Sequence, residues 1–177
     1  ILPPIKKYKA KVYNVSQVKQ MLDVAKGTDM YLIAFIEVYL GLRKGEIAAL
    51  KWSDIDLEKG VVHITRSRVT VKGNVIEKSP KSDAGIRDLW LGKKGLKVLN
   101  DEYKKYLIET KKAGFNATDY VIHTQNGDAY APDSISQKWE RFRDANNFPK
   151  IRFHDLRHTF ATHAISSGVD VKTLSNI

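Results

Sequence analysis

The sequence predicts an α+β domain, mostly helical, with a small three-stranded antiparallel sheet at one edge. Three observations carry this. Apolar residues recur at helical spacing in two blocks, one running from Val18 to Leu50 and the other from Leu96 to Ala164. Between the blocks, after Gly60, the pattern changes to β-branched, partly alternating residues, the composition that suits a pleated, half-buried surface. The connections inside that middle stretch are short, which antiparallel strands can use and parallel strands cannot. A chain of 177 residues is long enough for one domain with a sizeable core.

Taken in order, residues 1–11 hold Pro3-Pro4 followed by Lys6, Lys7, Lys9 and Lys11, too polar to pack, and read as a basic interdomain linker. Residues 12–177 read as the domain. Asn14 is a candidate N-cap for a first amphipathic helix carrying Val18, Met21, Leu22 and Ala25, with Gly27 as its stop. Thr28-Asp29 caps a second helix, Tyr31 to Leu40, that is apolar nearly all round and so is expected at the centre of the core, ending at Gly41. Leu42 to Leu57 then reads as a turn, with Arg43 at its mouth, feeding a short helix that points Ile47 and Leu50 inward.

Val61 to Val71 is the first expected strand, Val75 to Glu77 the second across the turn Lys72-Gly73-Asn74, and Ile86 to Leu91 the third after the loop Ser79 to Gly85, together an antiparallel meander. From Lys59 to Lys94 there are nine Lys or Arg against Glu77, Asp83 and Asp88. Arg66, Arg68, Lys72, Lys78 and Arg87 therefore make the sheet a positively charged lobe and are the candidate contacts to a polyanion. Leu96, Leu99, Tyr103 and Leu107 mark a long helix ending near Gly114, and Tyr120 to Ile122 is a short apolar run closed by Asn126-Gly127-Asp128. Pro132-Asp133 opens a helix with Ile135, Trp139 and Phe142 inward. Phe153, Leu156, Phe160 and Ala164 form one stripe of a further helix stopping at Gly168, and Asp170 caps another with Val171, Leu174 and Ile177.

Composition narrows the function classes. Thirty Lys plus Arg against twenty Asp plus Glu give a net charge of +10 and a pI near 9.6, more than solubility asks of a small domain, so a polyanionic partner is expected. No apolar run approaches the roughly 20 residues that span a bilayer. That favours nucleic acid over membrane. The chain has no cysteine, which excludes a disulfide framework and thiolate metal sites, and it opens on no signal peptide, which fits a cytoplasmic protein. There is no Gly-x-Ser-x-Gly elbow and no phosphate-binding Gly-x-x-x-x-Gly-Lys-Ser/Thr loop. His154 and His158 stand four apart, as zinc ligands on a helix do, but Asp155 is at the wrong offset and no third ligand presents itself. Asp54 and Asp56 read as turn residues rather than as a two-metal site. No metal and no cofactor are expected.

What remains is a cationic, metal-free cluster: Arg43 on a turn, Lys81 on a sheet loop, and His154 with Arg157 at a helix start, where free backbone N–H groups also favour an anion. A lone His-x-x-Arg is more often a pair of ordinary half-buried residues. In company it is a phosphate site, because two guanidiniums can hold non-bridging oxygens through forked hydrogen bonds and stabilise a pentacoordinate phosphorane as Mg²⁺ does elsewhere. A lysine can protonate the leaving oxygen, and a histidine can move or orient a proton.

These segments resemble the tyrosine recombinase (phage integrase) family in the right order over residues 12–177. Gly41-Leu42-Arg43-Lys44-Gly45-Glu46-Ile47-Ala48-Ala49-Leu50-Lys51-Trp52-Ser53-Asp54-Ile55-Asp56 resembles that family's first motif, Ser79 to Arg87 its sheet hairpin, and His154-Asp155-Leu156-Arg157-His158-Thr159-Phe160-Ala161-Thr162 its His-x-x-Arg box. The resemblance implies that Arg43 and Arg157 are the catalytic arginines, Glu46 the carboxylate supporting Arg43, Lys81 the general acid and His154 a further active-site group. It implies the catalytic fold of that family and site-specific recombination for a phage or other mobile element, through a 3′-phosphotyrosyl intermediate on double-stranded DNA. It also implies a homo-oligomer, a tetramer on DNA and a monomer when isolated. The family's Leu-Gly-His segment and nucleophilic tyrosine follow the helix that begins at Asp170, so the nucleophile is expected beyond Ile177 and a core-binding domain before Ile1. All eight tyrosines of the chain precede the His-x-x-Arg box. Type IB topoisomerases share the chemistry, which leaves strand relaxation as the enzyme alternative and a non-catalytic DNA-binding module as the other class.

Overall fold

The computed structural model describes residues 11–79, 85–112, 114 and 118–166, the side chains of 162–166 excepted. Its first helix, α1 (Val15–Ala25), begins where expected: the Asn14 side chain accepts from the Gln17 N–H at 2.8 Å while the Gln17 side chain accepts from the Asn14 N–H at 2.9 Å. This reciprocal cap satisfies two amide donors that a helix start otherwise leaves free. Helix α2 (Asp29–Leu40) is capped by the Thr28 hydroxyl and is the centre of the core, with Ile33, Ala34 and Ile36 fully buried. It packs against α1, against α3 (Lys44–Ala49), against α5 (Pro132–Ala145) and against α6 (Phe153–Ser166). The long α4 (Lys93–Glu109) lies outside that group, with Leu99 turned into the core. Its end at Glu109 comes before the Gly114 expected to stop it.

The sheet differs from the expected meander. A single strand was expected over Val61–Val71, but the chain leaves it at Thr65-Arg66 and makes two: β2 (Val61–Ile64) and β3 (Ser67–Val71). β2 sits between β1 (Ile55–Asp56) and β5 (Arg87–Trp90) in a three-stranded antiparallel sheet, whereas β3 pairs with β4 (Asn74–Lys78) in a separate ribbon. The physical reason is burial and charge. Val61, Val62 and Ile64 are under 5% exposed, so β2 belongs to the core, while Arg66 at the break turns inward to Asp54 Oδ2 at 2.9 Å. The ribbon is closed by Lys72 and Gly73, both with positive φ (49° and 81°), the backbone of a two-residue hairpin turn that matches strand twist. The helix expected to run toward Leu57 stops at Ala49; Trp52–Asp54 is a single 3₁₀ turn, and β1, read as part of that turn, is a strand.

At the opposite side, Trp139 of α5 is fully buried, and its Nε1–H donates to Ile151 O at 3.0 Å. Tyr13, Phe142 and Phe153 pack around it. Tyr13 ties the segment before α1 to α6 and the loop before it: its N–H donates to Thr159 Oγ1 and its hydroxyl to Pro149 O. Among the described residues, no helix is long and apolar enough to cross a membrane. The helix expected from Asp170, and its neighbour Gly168, lie outside the described residues.

Candidate active site

The site is built on the turn between α2 and α3. Gly41 ends α2 in the left-handed region (φ 62°, ψ 30°) and its N–H returns to Glu37 O. Leu42 is fully buried, which pins the turn and leaves Arg43 at the surface as the residue preceding α3. Glu46, in the first turn of α3, then folds back: Oε2 accepts from the Arg43 N–H at 2.9 Å and Oε1 from Arg43 Nη1 at 3.0 Å. One carboxylate thus caps its own helix and tethers the arginine side chain.

The same carboxylate is held from the sheet. Arg87 of β5 donates from Nη1 to Glu46 Oε1 at 3.0 Å and from Nη2 to Oε2 at 2.9 Å. Burial alone would raise the pKa of Glu46, but the hydrogen bonds from Arg87 and from the Arg43 N–H, with both guanidinium charges, outweigh it and hold the pKa below the ordinary glutamate value. Glu46 is therefore ionised at neutral pH.

Arg157 arrives from α6. The helix starts with Asp155 fully buried, accepting from the Arg152 N–H at 2.8 Å and from Arg152 Nη2 at 3.0 Å, a cap that orients the first turn. Leu156 faces the core and Phe160 covers Gly41. One turn of helix between them sends Arg157 across to the α2–α3 turn, where Nη1 donates to Gly41 O. Its guanidinium pKa is lowered by burial first, then by the positive charges of Arg43 and Arg87, against the attraction of Glu46 and Glu37. His154 lies one turn earlier, exposed, its ring edge-on to that of His158 with centroids 5.1 Å apart. Partial burial and the neighbouring His158, Arg157 and Arg152 lower its pKa, so at neutral pH the imidazole is uncharged and can accept as well as donate a proton.

Glu37 completes the cluster from beneath. It is fully buried, and neither carboxyl oxygen makes a well-formed hydrogen bond among the described residues. Burial drives its pKa well above the usual carboxylate value, against the pull of the Arg157 guanidinium and backbone N–H. Three guanidiniums, Arg43, Arg87 and Arg157, gather around two carboxyl groups, Glu46 and Glu37. The cations outnumber the carboxyl groups, and the excess is directed at the surface where Arg43 is 57% exposed. Such a cluster is complementary to a phosphodiester gaining charge as it becomes pentacoordinate.

Of the residues singled out in the sequence, Arg43, Glu46 and Arg157 come together at this turn, His154 lies one turn earlier on α6 beside His158 and Arg157, and Lys81 lies outside the described residues. Of the five cations expected to face a polyanion, three have partners inside the protein. Arg66 pairs with Asp54 and lies 3.7 Å from Glu77, Arg68 donates to Tyr130 O and rests on the Tyr120 ring, and Arg87 grips Glu46. Lys72 and Lys78 are exposed on the β3–β4 ribbon. One residue of the cluster escaped the sequence reading, and another was read in a different role. Glu37 was taken for part of an apolar helix, although a lone carboxylate six positions before Arg43 was the available signal. Arg87 was read as a contact to a polyanion, and its pairing with Glu46, 41 positions away, left no local signal.

With this geometry in hand, comparison with known proteins is decisive. The model of the phage integrase family matches residues 11–177. The chain belongs to the phage integrase family. Among characterised relatives, a tyrosine recombinase XerC-like protein of Caldanaerobacter subterraneus subsp. tengcongensis is 28% identical over 179 residues, covering 93% of this chain and 46% of the relative. The prophage integrase IntR of Escherichia coli K12 is 29% identical over 166 residues, covering 85% of this chain and 39% of IntR. The chain thus spans less than half the length of either relative. The fold is shared with the integrase of transposon Tn1549, solved in complex with transposon right end DNA (TM-score 0.83, 20% identity, 97% of this chain and 58% of that one). It is shared also with the lambda integrase catalytic core (TM-score 0.62, 17% identity, 96% and 94%). Both confirm the mostly helical α+β architecture with small antiparallel sheets. They establish fold; the chemistry has to be argued from the site.

Proposed function

We propose that this integrase-family domain cleaves and rejoins DNA strands in site-specific recombination, as the phosphate-activating part of a tyrosine recombinase acting for a mobile element. The observation that carries the reading is the meeting of Arg43 and Arg157 at one turn, where guanidiniums outnumber carboxyl groups. In this mechanism Arg43 and Arg157 bind the two non-bridging oxygens of a DNA phosphate and stabilise the charge that develops on them. His154, uncharged at neutral pH, donates a hydrogen bond to the phosphate or passes a proton near it. Lys81 protonates the 5′-oxygen as it leaves. A tyrosine attacks in line, the 3′-phosphotyrosyl bond preserves the energy of the phosphodiester, and a 5′-hydroxyl from another duplex displaces the tyrosine.

The attacking tyrosine is not one of those described. Tyr13 is 1% exposed and donates to Pro149 O, and burial pushes its pKa up to about 12 against the pull of Arg143. Tyr106 donates to Thr118 O, Tyr120 to Glu77 and Tyr130 to Asp29. Tyr31 and Tyr39 both pack on Phe35, and Tyr103 packs on Trp52. We place double-stranded DNA against the exposed Arg43 and the ribbon lysines Lys72 and Lys78. Arg66 and Arg68 shape the ribbon rather than grip the backbone. Recombination between two duplexes implies an oligomer, a tetramer on DNA, acting in the cytoplasm.

The test uses the protein at its natural full length and a nicked duplex from which the cleaved end diffuses away. A covalent protein–DNA adduct, alkali-stable and removed by protease, is the expected product. Duplex binding without any adduct, under conditions where the site is saturated, refutes the enzyme and leaves a DNA-binding module.

A further inference from the structure

We propose that Arg87 is a positioning residue: by holding both oxygens of Glu46 from the sheet, it fixes the direction in which Arg43 presents its guanidinium to phosphate. The inference rests on the reading of Arg43 as a phosphate-binding arginine, and goes beyond it by assigning the machinery that aims it.

Arg43 is 57% exposed, and an arginine side chain left loose loses rotamer entropy each time it is ordered on a ligand. Its tether is Glu46, which stands on a helix of only six residues and carries two rotatable oxygens. A carboxylate accepting from Arg43 alone would follow the arginine rather than direct it. Arg87 removes that freedom. Its side chain is 10% exposed, and its two Nη atoms meet the two Glu46 oxygens in parallel, the fork geometry that sets orientation as well as distance.

The anchor behind Arg87 is rigid. It opposes Ile64 in the β2–β5 ladder, and Ile64 is 2% exposed. The resulting chain of contacts runs from a buried strand, through Arg87 and Glu46, to both the backbone N–H and the guanidinium of Arg43. Each Glu46 oxygen accepts one bond from Arg43 and one from Arg87, so the carboxylate has little capacity left with which to rotate. Lysine at position 87 would keep the charge and lose the fork.

Removing Arg87 has a consequence that plain loss of packing does not. Burial then acts on Glu46 with its main opposing hydrogen bonds gone, so the Glu46 pKa rises. Protonated Glu46 cannot hold Arg43, and the defect becomes dependent on pH. The experiment compares wild type, Arg87→Met, Arg87→Lys and Glu46→Gln in the full-length protein. Three quantities are read: the Glu46 carboxyl titration by ¹³C NMR, hindered rotation of the Arg43 guanidinium by ¹⁵N NMR, and single-turnover cleavage of a nicked duplex from pH 5 to 8.

In Arg87→Met the expected results are a raised Glu46 pKa and a freely rotating Arg43. Cleavage should fall roughly 10- to 100-fold, the cost of misplacing a catalytic group by about an ångström, with the deficit larger at pH 6 than at pH 8. Arg87→Lys should recover part of the rate at pH 8. Glu46→Gln should be impaired equally at every pH, since it has no carboxylate to titrate. If Arg87→Met does not fold, Arg87→Lys serves for the same comparison against wild type. A cleavage loss that is uniform across pH, or no loss, overturns the proposal, as does an Arg43 that stays restrained without Arg87. Should wild type itself fail to cleave, the recombinase reading falls, while the two NMR measurements still decide whether Arg87 aims Arg43.

Discussion

Replacing Gly41 by alanine tests how the turn and the His-x-x-Arg helix are held together, and the cost divides into two parts. The first is conformational. With φ at +62°, an L-residue carries the left-handed penalty of about 1–2 kcal/mol. The second is steric. A Cβ at position 41 would stand 2.5 Å from Phe160 Cδ1 and 2.8 Å from Cε1, so the ring must move, and overpacking of this kind costs about 1–3 kcal/mol. Together they predict a loss of about 2–5 kcal/mol. Gly27 supplies the control: its φ is +78°, and a Cβ there meets nothing within 4 Å, so Gly27→Ala should lose only the first part. Urea denaturation of both variants separates the terms. Because Phe160 lies three residues after Arg157, and Arg157 donates to Gly41 O, Gly41→Ala should also slow strand cleavage at temperatures where it remains folded, while Gly27→Ala should not. Equal destabilisation by the two substitutions, or cleavage at the wild-type rate in folded Gly41→Ala, refutes the reasoning.

Two further predictions concern buried titratable groups. Glu37 has a pKa raised well above the ordinary value by burial; the unfolded chain releases its proton near pH 4 while the folded state retains it, so stability falls as pH rises between the two pKa values. Glu37→Gln removes that dependence, and its stability advantage measured by thermal melting should grow with pH; a gap that is constant with pH contradicts the assignment. Tyr13, pushed up to about 12, keeps its stabilising effect below pH 10 and loses it as pH rises toward 12. Tyr13→Phe gives up the hydrogen bond to Pro149 O, roughly 1 kcal/mol at neutral pH, and should close that gap in alkali, whereas parallel curves would show that the hydroxyl does not titrate this way.

The helices were legible in the sequence because their signals are local: Asn14 and Thr28 as caps, Gly41 as a left-handed stop, and Pro132 at a first turn all act within a few residues of where they stand. The sheet was legible in type and in antiparallel sense but not in its partition. Val61 to Val71 is continuous in sequence, and what divides it is the reach of Arg66 to Asp54 and Glu77, which no periodicity records. The site shows the same limit. Arg43 and Arg157 stand in recognisable motifs, but whether a cation faces outward depends on partners far along the chain. Arg68 is occupied by a carbonyl 62 positions away and Arg87 by a carboxylate 41 positions away. Net charge therefore overstated the open basic surface of the sheet, and the Glu37 helix position concealed a carboxyl group at the floor of the site.

The central claim is that Arg43 and Arg157 form one phosphate-activating site, and single-turnover cleavage by Arg157→Ala, measured beside duplex affinity, tests it most directly. Arg157 lies off the buried stripe of α6 and its hydrogen bond to the protein is to Gly41 O, so the variant should fold and bind duplex DNA within about tenfold of wild type. Its cleavage should fall at least about 10²- to 10³-fold, the loss seen when one preorganised donor to a developing oxyanion is removed. Cleavage near the wild-type rate, with the site saturated by DNA, would contradict the account and take Arg157 out of the chemistry.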